Sequence, residues 1–152
     1  MYKFTGFGVH IKAKDFHKSV KFYQNLGLKK VFEYGPDKQI KEDYNGMVFD
    51  TGFGKIEIAD GHPAVKPNVF KQTVASSKIS FMINVDSLSK VLIKAKKAGI
   101  QLAVDPRHYY WGTLETVIKD PDGVVIVLVA PYSEQEAKKI NADEYFAVKP
   151  KA

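Results

Sequence analysis

The stretch GVHIKAKDFHKSVKFYQNLGL, Gly8 to Leu28, returns in altered letters as SFMINVDSLSKVLIKAKKAGI, Ser80 to Ile100. Gly8, Asp15 and Gly27 recur with one common offset as Ser80, Ser87 and Gly99, and Asp50 and Glu57 recur, slightly tighter, as Asp120 and Val127. Self-similarity at one period marks a duplication of roughly 70 residues per copy. A copy of that size buries too little surface to stand alone, so the copies are expected to pack on each other or on a partner subunit.

The quoted stretch also fixes the order of elements. Alternation in FGVHIKA places Phe7, Val9 and Ile11 on one face of a strand and Gly8, His10 and Lys12 on the other. Asp15 then caps a helix in which Phe16, Val20, Tyr23 and Leu26 recur at helical spacing, and Gly27 supplies the left-handed residue that ends it. LKKVFEY, DYNGMVFDT and GKIEIA read as three further strands, separated by GPDKQIKED and TGFG. The second copy repeats this plan. KISFMINV is a strand, a helix begins near Asp86 or Ser87 and closes at Gly99, and QLAVD, GTLETVIK and VVIVLVA follow, with DPDG as the last tight turn. VVIVLVA is apolar on both faces, as a central strand covered on each side would be.

These elements predict an α+β fold of two tandem βαβββ modules, residues 1–60 and 78–131. The segment 61–77, with two prolines and no period, reads as a linker, and 132–152 as a C-terminal helix and tail. In SEQEAKKI, Ser133 and Glu136 have capping-box spacing. Tyr145 and Phe146 in the tail either pack back on the body or reach a neighbouring subunit.

Composition narrows the function. There is no cysteine, so neither a disulfide framework nor a thiolate nucleophile is available, and the chain suits a reducing compartment. No segment approaches a membrane span or a leader, which makes the cytoplasm the expected location. The net charge of +6 favours a neutral or anionic ligand. The densest lysines, Lys90, Lys94, Lys96 and Lys97, lie on a helix without interleaved aromatics and read as a solvated face, so neither nucleic acid nor membrane is expected as a partner. No Ser-His-Asp arrangement, glycine-rich phosphate loop or zinc pattern is present.

The helix signature Asp15, Ser19, Phe22, Tyr23 followed by Gly27, and the segment Trp111, Gly112 to Asp120–Gly123, occur in order around the duplication. In this the chain resembles the vicinal oxygen chelate superfamily, which includes glyoxalase I, extradiol dioxygenases and bleomycin resistance proteins, from about Phe4 to Pro131. The resemblance implies curved mixed sheets that form a cleft, helices on the outer face, and a homodimer. In metal-using members the first and last strands of each module project a ligand to a divalent ion. Those positions fall here on Gly8, Glu57, Ser80 and Val127, of which only Glu57 suits a hard cation. No cofactor is expected beyond a weakly held divalent metal.

If the first and fourth strands are neighbours, as the resemblance implies, His10 and Glu57 form a charge-assisted hydrogen bond. The pair then serves either to fix side chains or as an acid/base dyad. Strand parity collects His10, Met47, Phe49, Glu57, Ser80, Met82, Asn84, Thr113, Glu115 and Val127 on the ligand face, and HYYW places Trp111 where its ring can stack on a ligand. His108 has a route to the same place, whereas His17 and His62 read as surface residues. The expected function is capture of a small organic molecule without the family's full metal site. The alternatives are a glyoxalase-type lyase or isomerase, in which Glu57 abstracts a proton with His10 as partner, and an interaction module without small-molecule chemistry.

Overall fold

The computed structural model describes residues 1, 3, 5–61 and 79–147. Most of the expected linker, with His62, and the end of the tail lie outside the described residues. The chain divides into two compact units, Met1–Ser76 and Ser77–Ala152, each built on one four-stranded mixed sheet.

The first unit runs β1 (Gly8–Lys12), α1 (Phe16–Leu26), β2 (Lys29–Tyr34), β3 (Gly46–Asp50) and β4 (Lys55–Ala59). Its sheet has the order β1-β4-β3-β2, with β1 parallel to β4 and the other pairs antiparallel. The helix forms where the sequence signals it. Asp15 accepts from the Lys18 backbone N–H at 3.1 Å, and Gly27 ends the helix at φ 106°. Its apolar stripe buries Val20, Tyr23 and Leu26 against the sheet, where Tyr23 meets Phe49 at a ring separation of 6.0 Å. Ser19 is buried on the same stripe.

The second unit repeats the plan with β5 (Phe81–Asn84), α2 (Leu88–Lys97), β6 (Leu102–Tyr109), β7 (Thr113–Lys119) and β8 (Val125–Pro131), in the order β5-β8-β7-β6. β8, the strand apolar on both faces, lies between β5 and β7. Of the two cap candidates for α2 the structure selects Ser87, which accepts from the Lys90 N–H at 3.4 Å. The DPDG turn is held by the buried Asp120 carboxylate, which accepts from the N–H groups of Asp122 and Val124 at 2.9 and 2.8 Å. Gly123, at φ 83°, supplies the left-handed residue there.

One strand exceeds its expected length. QLAVD continues through Pro106 to Tyr109 as β6, because β6 is an edge strand and its ladder to β7 breaks register between Val104 and Arg107. A proline, which cannot donate to a ladder, is tolerated at such a place.

The C-terminal helix α3 (Glu134–Lys139) begins at Ser133, which accepts from the Glu136 N–H at 3.1 Å. Only this half of the capping box forms. The Glu136 carboxylate turns outward to α2, where it accepts from the Ser87 hydroxyl and, at 3.3 Å, from the Ser89 N–H. A negative side chain at the start of α2 is favoured by the unpaired N–H groups and the helix dipole. A 3-10 turn, Glu144–Phe146, follows, and it packs on its own unit: Phe146 lies 5.3 Å from the Tyr109 ring and under the Arg107 guanidinium at 4.4 Å.

Candidate functional site

In each sheet one face is covered by helix and the other is free of it, and the ladder registers assign every strand side chain to one of the two. In the first sheet, His10 pairs with Glu57, and Glu57 with Val48. His10, Glu57 and Val48 therefore share the helix-free face. Met47 and Phe49 pair with Ile58 and Ile56 and lie on the other face, buried against α1. The expected grouping of Met47 and Phe49 with Glu57 is thus corrected. Both faces of DYNGMVFDT are apolar, so parity within the strand was ambiguous, and only the pairing with β4 resolves it.

Parallel pairing of β1 and β4 brings His10 and Glu57 together, and the His10 Nε2 contacts Glu57 Oε2. The imidazole side chain is 45% exposed and the carboxylate 15%. Sequence reasoning missed a third member, Tyr34, whose hydroxyl donates to Glu57 Oε1 at 3.2 Å. Tyr34 ends β2 directly opposite Gly46, and a Cβ on Gly46 would overlap the phenol ring. The glycine therefore opens the path by which the ring crosses β3 toward β4. A glycine inside a strand is the signal that could have found this, since it often marks a close approach. Burial, followed by the neighbouring Glu57 charge, pushes the Tyr34 phenol well above its ordinary range.

In the second sheet, Met82, Asn84, Val127, Thr113 and Glu115 share the helix-free face, as parity predicts. Ser80 precedes β5 and is exposed. Thr113 donates to Glu115 at 3.2 Å. The HYYW residues divide. Tyr109 and Trp111 stack at 4.5 Å with planes 9° apart, and Trp111 remains 54% exposed. His108 instead pairs with Leu114 on the opposite parity, stacks on Tyr132 at 3.7 Å and contacts Glu144 at 2.5 Å. Its expected approach to the ligand face is corrected, because alternation turns it away and the tail engages it.

The family's metal positions do not fit a cation here. Gly8 brings no side chain, Val127 brings hydrocarbon, and Ser80 brings a neutral hydroxyl. Glu57 has one oxygen facing an imidazole and the other a phenol. Among the described residues no group of three or more His, Cys, Asp or Glu side chains is placed to hold a metal.

A hollow of about 510 Å³ lies at the end of the first sheet, lined by Phe7, Gly8, Asp50, Phe53, Gly54 and Lys55 among others. The pair Gly8 and Lys55 is the next same-face pair in the ladder after His10 and Glu57. A second hollow, of about 470 Å³ around Leu92, Ala95, Ile100 and Leu102, contains none of the expected site residues. Chemistry therefore places the candidate site at His10, Glu57 and Tyr34, with the stacked Trp111 as a separate feature of the second unit.

The order of elements and the two mixed sheets agree with a match over residues 9–128 to the model of the Glyoxalase/Bleomycin resistance protein/Dioxygenase superfamily. The chain belongs to this superfamily. Solved structures share its fold. A glyoxalase/bleomycin resistance protein/dioxygenase family enzyme from Burkholderia phytofirmans PsJN is similar at 21% identity and TM-score 0.64, over 82% of this chain and 97% of that one. The bleomycin resistance determinant encoded on transposon Tn5 is similar at 24% identity and TM-score 0.55, over 83% and 97%. A superfamily member from Sphaerobacter thermophilus DSM 20745 is similar at 21% identity and TM-score 0.59, over 82% and 95%. No curated protein matches the sequence. Among the described residues no helix is long and apolar enough to cross a membrane.

Proposed function

We propose that this superfamily member binds a small organic molecule, neutral or anionic, without the family's full metal centre. The observation that carries the reading is the state of Glu57, the one carboxylate among the four family ligand positions. It is held between an imidazole and a buried phenol, and its three counterpart positions offer no charged donor. The stacked, half-exposed Trp111 beside Tyr109 supports an apolar or planar ligand. The net charge of +6 argues against a cationic one. The reading includes a homodimer in the cytoplasm, with neither nucleic acid nor membrane as partner.

Native mass spectrometry of the protein purified from its own host tests this reading. The expected result is a co-purifying organic mass released on denaturation. Calorimetric titration with nickel, zinc and manganese is expected to give weak heats only. Tight, stoichiometric binding of one of these ions would overturn the metal-free part.

The contact between His10 and Glu57 favours a second reading, proton transfer of glyoxalase type, since a carboxylate–imidazole pair is a workable acid/base dyad. Turnover of a 2-oxoaldehyde hemithioacetal, lost in Glu57→Gln and His10→Asn, would favour it over capture alone.

A further inference from the structure

We propose that Arg107 and the rings of Tyr109 and Trp111 form one recognition site on the second sheet, and that this site selects an aromatic carboxylate. This rests on the small-molecule reading above and names the class of ligand.

Arg107 is the one arginine among the 23 lysine and arginine residues of the chain. Lysine supplies charge as a hydrated point, whereas a guanidinium presents a planar fork that matches a carboxylate. A backbone irregularity aims this fork. Val104 pairs with Val117 and Arg107 with Glu115, and Val117 and Glu115 both lie on the helix-free face. Val104 and Arg107 are an odd number of residues apart, so strict alternation would point them to opposite faces. The register shift between them inserts one residue and turns Arg107 to the helix-free face. A bulge that re-aims a side chain is a common device beside a binding site.

From there the ladder sets Tyr109 opposite Thr113 on the same face. Tyr109 stacks on Trp111 at 4.5 Å, and Phe146 lies against both the Tyr109 ring and the guanidinium. The result is a row of rings with a cation at its end. Two residues along a strand span about 6–7 Å, so a ring laid against Tyr109 brings a carboxylate on a short arm to Arg107.

The guanidinium is held but not neutralised. Its contact with Phe146, at 4.4 Å, fixes it without offering an acceptor to its N–H donors. Among the described residues no carboxylate pairs with it, and no buried side-chain nitrogen lacks a partner, so its donors open to solvent. The neighbouring acids are engaged elsewhere. Glu115 accepts from the Thr113 hydroxyl at 3.2 Å, Asp143 accepts from the Tyr145 N–H at 2.9 Å, and Glu144 contacts His108. A ligand carboxylate therefore meets a positioned cation on which none of these acids is seated. Its charge-assisted, bidentate contact beside stacking rings separates it from a neutral analogue of the same shape.

A matched pair of probes tests this on the intact chain. One arginine and one tryptophan give one guanidine Nε–H and one indole Nε1–H signal in a proton–nitrogen correlation spectrum, so the two ends of the site report separately. Slightly below neutral pH, 2-naphthoate is expected to shift both signals along one saturation curve. 2-Naphthamide is expected to shift the indole signal alone and to bind about tenfold more weakly. Arg107→Lys keeps the charge and loses the fork. It should weaken naphthoate about tenfold and leave naphthamide unchanged, with the backbone signals as the check on folding. Equal affinity for the two probes, an arginine signal unmoved by naphthoate, or full naphthoate affinity in Arg107→Lys overturns the proposal. The probe pair needs no variant, so the test holds even if Arg107→Lys fails to fold. Each overturning result leaves the capture reading intact, because a molecule of another class can still co-purify. Absence of any co-purifying mass counts against that reading and not against a carboxylate preference measured with the probes.

Discussion

Tyr34 and Glu57 belong to strands that are not neighbours. β3 lies between them, and the phenol reaches the carboxylate at 3.2 Å across the bare backbone of Gly46. A methyl group at position 46 is therefore expected to expel the ring, and Gly46→Ala should destabilise the protein by about 1–3 kcal/mol, the usual range for overpacking. Because the cost comes from one neighbour, it should largely vanish in a Tyr34→Ala background. Urea denaturation of the two single variants and the double variant measures the coupling. Additive losses would show that the glycine serves some other purpose.

The same phenol gives the protein an alkaline signature. Burial, then the Glu57 charge, raises Tyr34 above the ordinary tyrosine value of 10.0. Above that value the unfolded chain loses this proton while the folded chain keeps it, so stability falls as pH rises beyond about 10. Absorbance titration of tyrosinate should show Tyr34 titrating last, after Tyr44, which burial and then the Glu42 charge also raise, and Tyr34→Phe should remove that latest step. A Tyr34→Phe curve that retains it would locate the perturbed phenol elsewhere.

The parts of this account that were legible in the sequence are those governed by local periodicity. Asp15, Gly27, Ser87 and Gly123 sit where capping and turn chemistry put them, and the repeat ordered the strands correctly along the chain, whereas the placing of His10 beside Glu57 came from the family resemblance, which implies that the first and fourth strands are neighbours. What escaped depends on pairing between strands. Nothing local told which face of GMVFD turns to α1, so Met47 and Phe49 were grouped with Glu57 although they are buried under the helix. Tyr34 escaped because its partner lies two strands away, and the strand QLAVD runs past its expected end at Asp105 because the edge position of β6, which tolerates Pro106, is a property of the sheet.

Glu136 supplies an acid-sensitive clasp between α3 and the start of α2. The Ser87 hydroxyl, then the Ser89 contacts, hold its carboxyl below the ordinary 4.5. Between the depressed folded value and 4.5 the unfolded chain binds the extra proton, so the stabilisation is complete above 4.5 and is lost as pH falls through the folded value. Glu136→Gln should cost about 1 kcal/mol at neutral pH, in the range of a helix cap, and markedly less at pH 3. Denaturation midpoints at the two pH values report the difference, and an equal cost at both would show that charge is not what holds the clasp.

Trp111 is the one tryptophan of the chain, which makes it a built-in reporter of the aromatic group formed with Tyr109 and Phe146. Phe146 is held from two sides: Arg107 covers its ring, and the contact between His108 and Glu144 anchors the turn it belongs to. Removing the ring in Phe146→Ala exposes one flank of Tyr109, so the stack with Trp111 should loosen. Its emission is then expected to move to longer wavelength, at a stability cost of about 1 kcal/mol, appropriate to a half-buried aromatic with one cation–π contact. Glu144→Gln should give the same spectral shift more weakly, because it frees the turn without deleting the ring. Hydrogen exchange separates this local release from general loosening. Faster exchange at the Asp143 and Ala147 amides, with β7 and β8 unchanged, fits a detachable tail, whereas acceleration through β7 would mean that the tail supports the sheet itself.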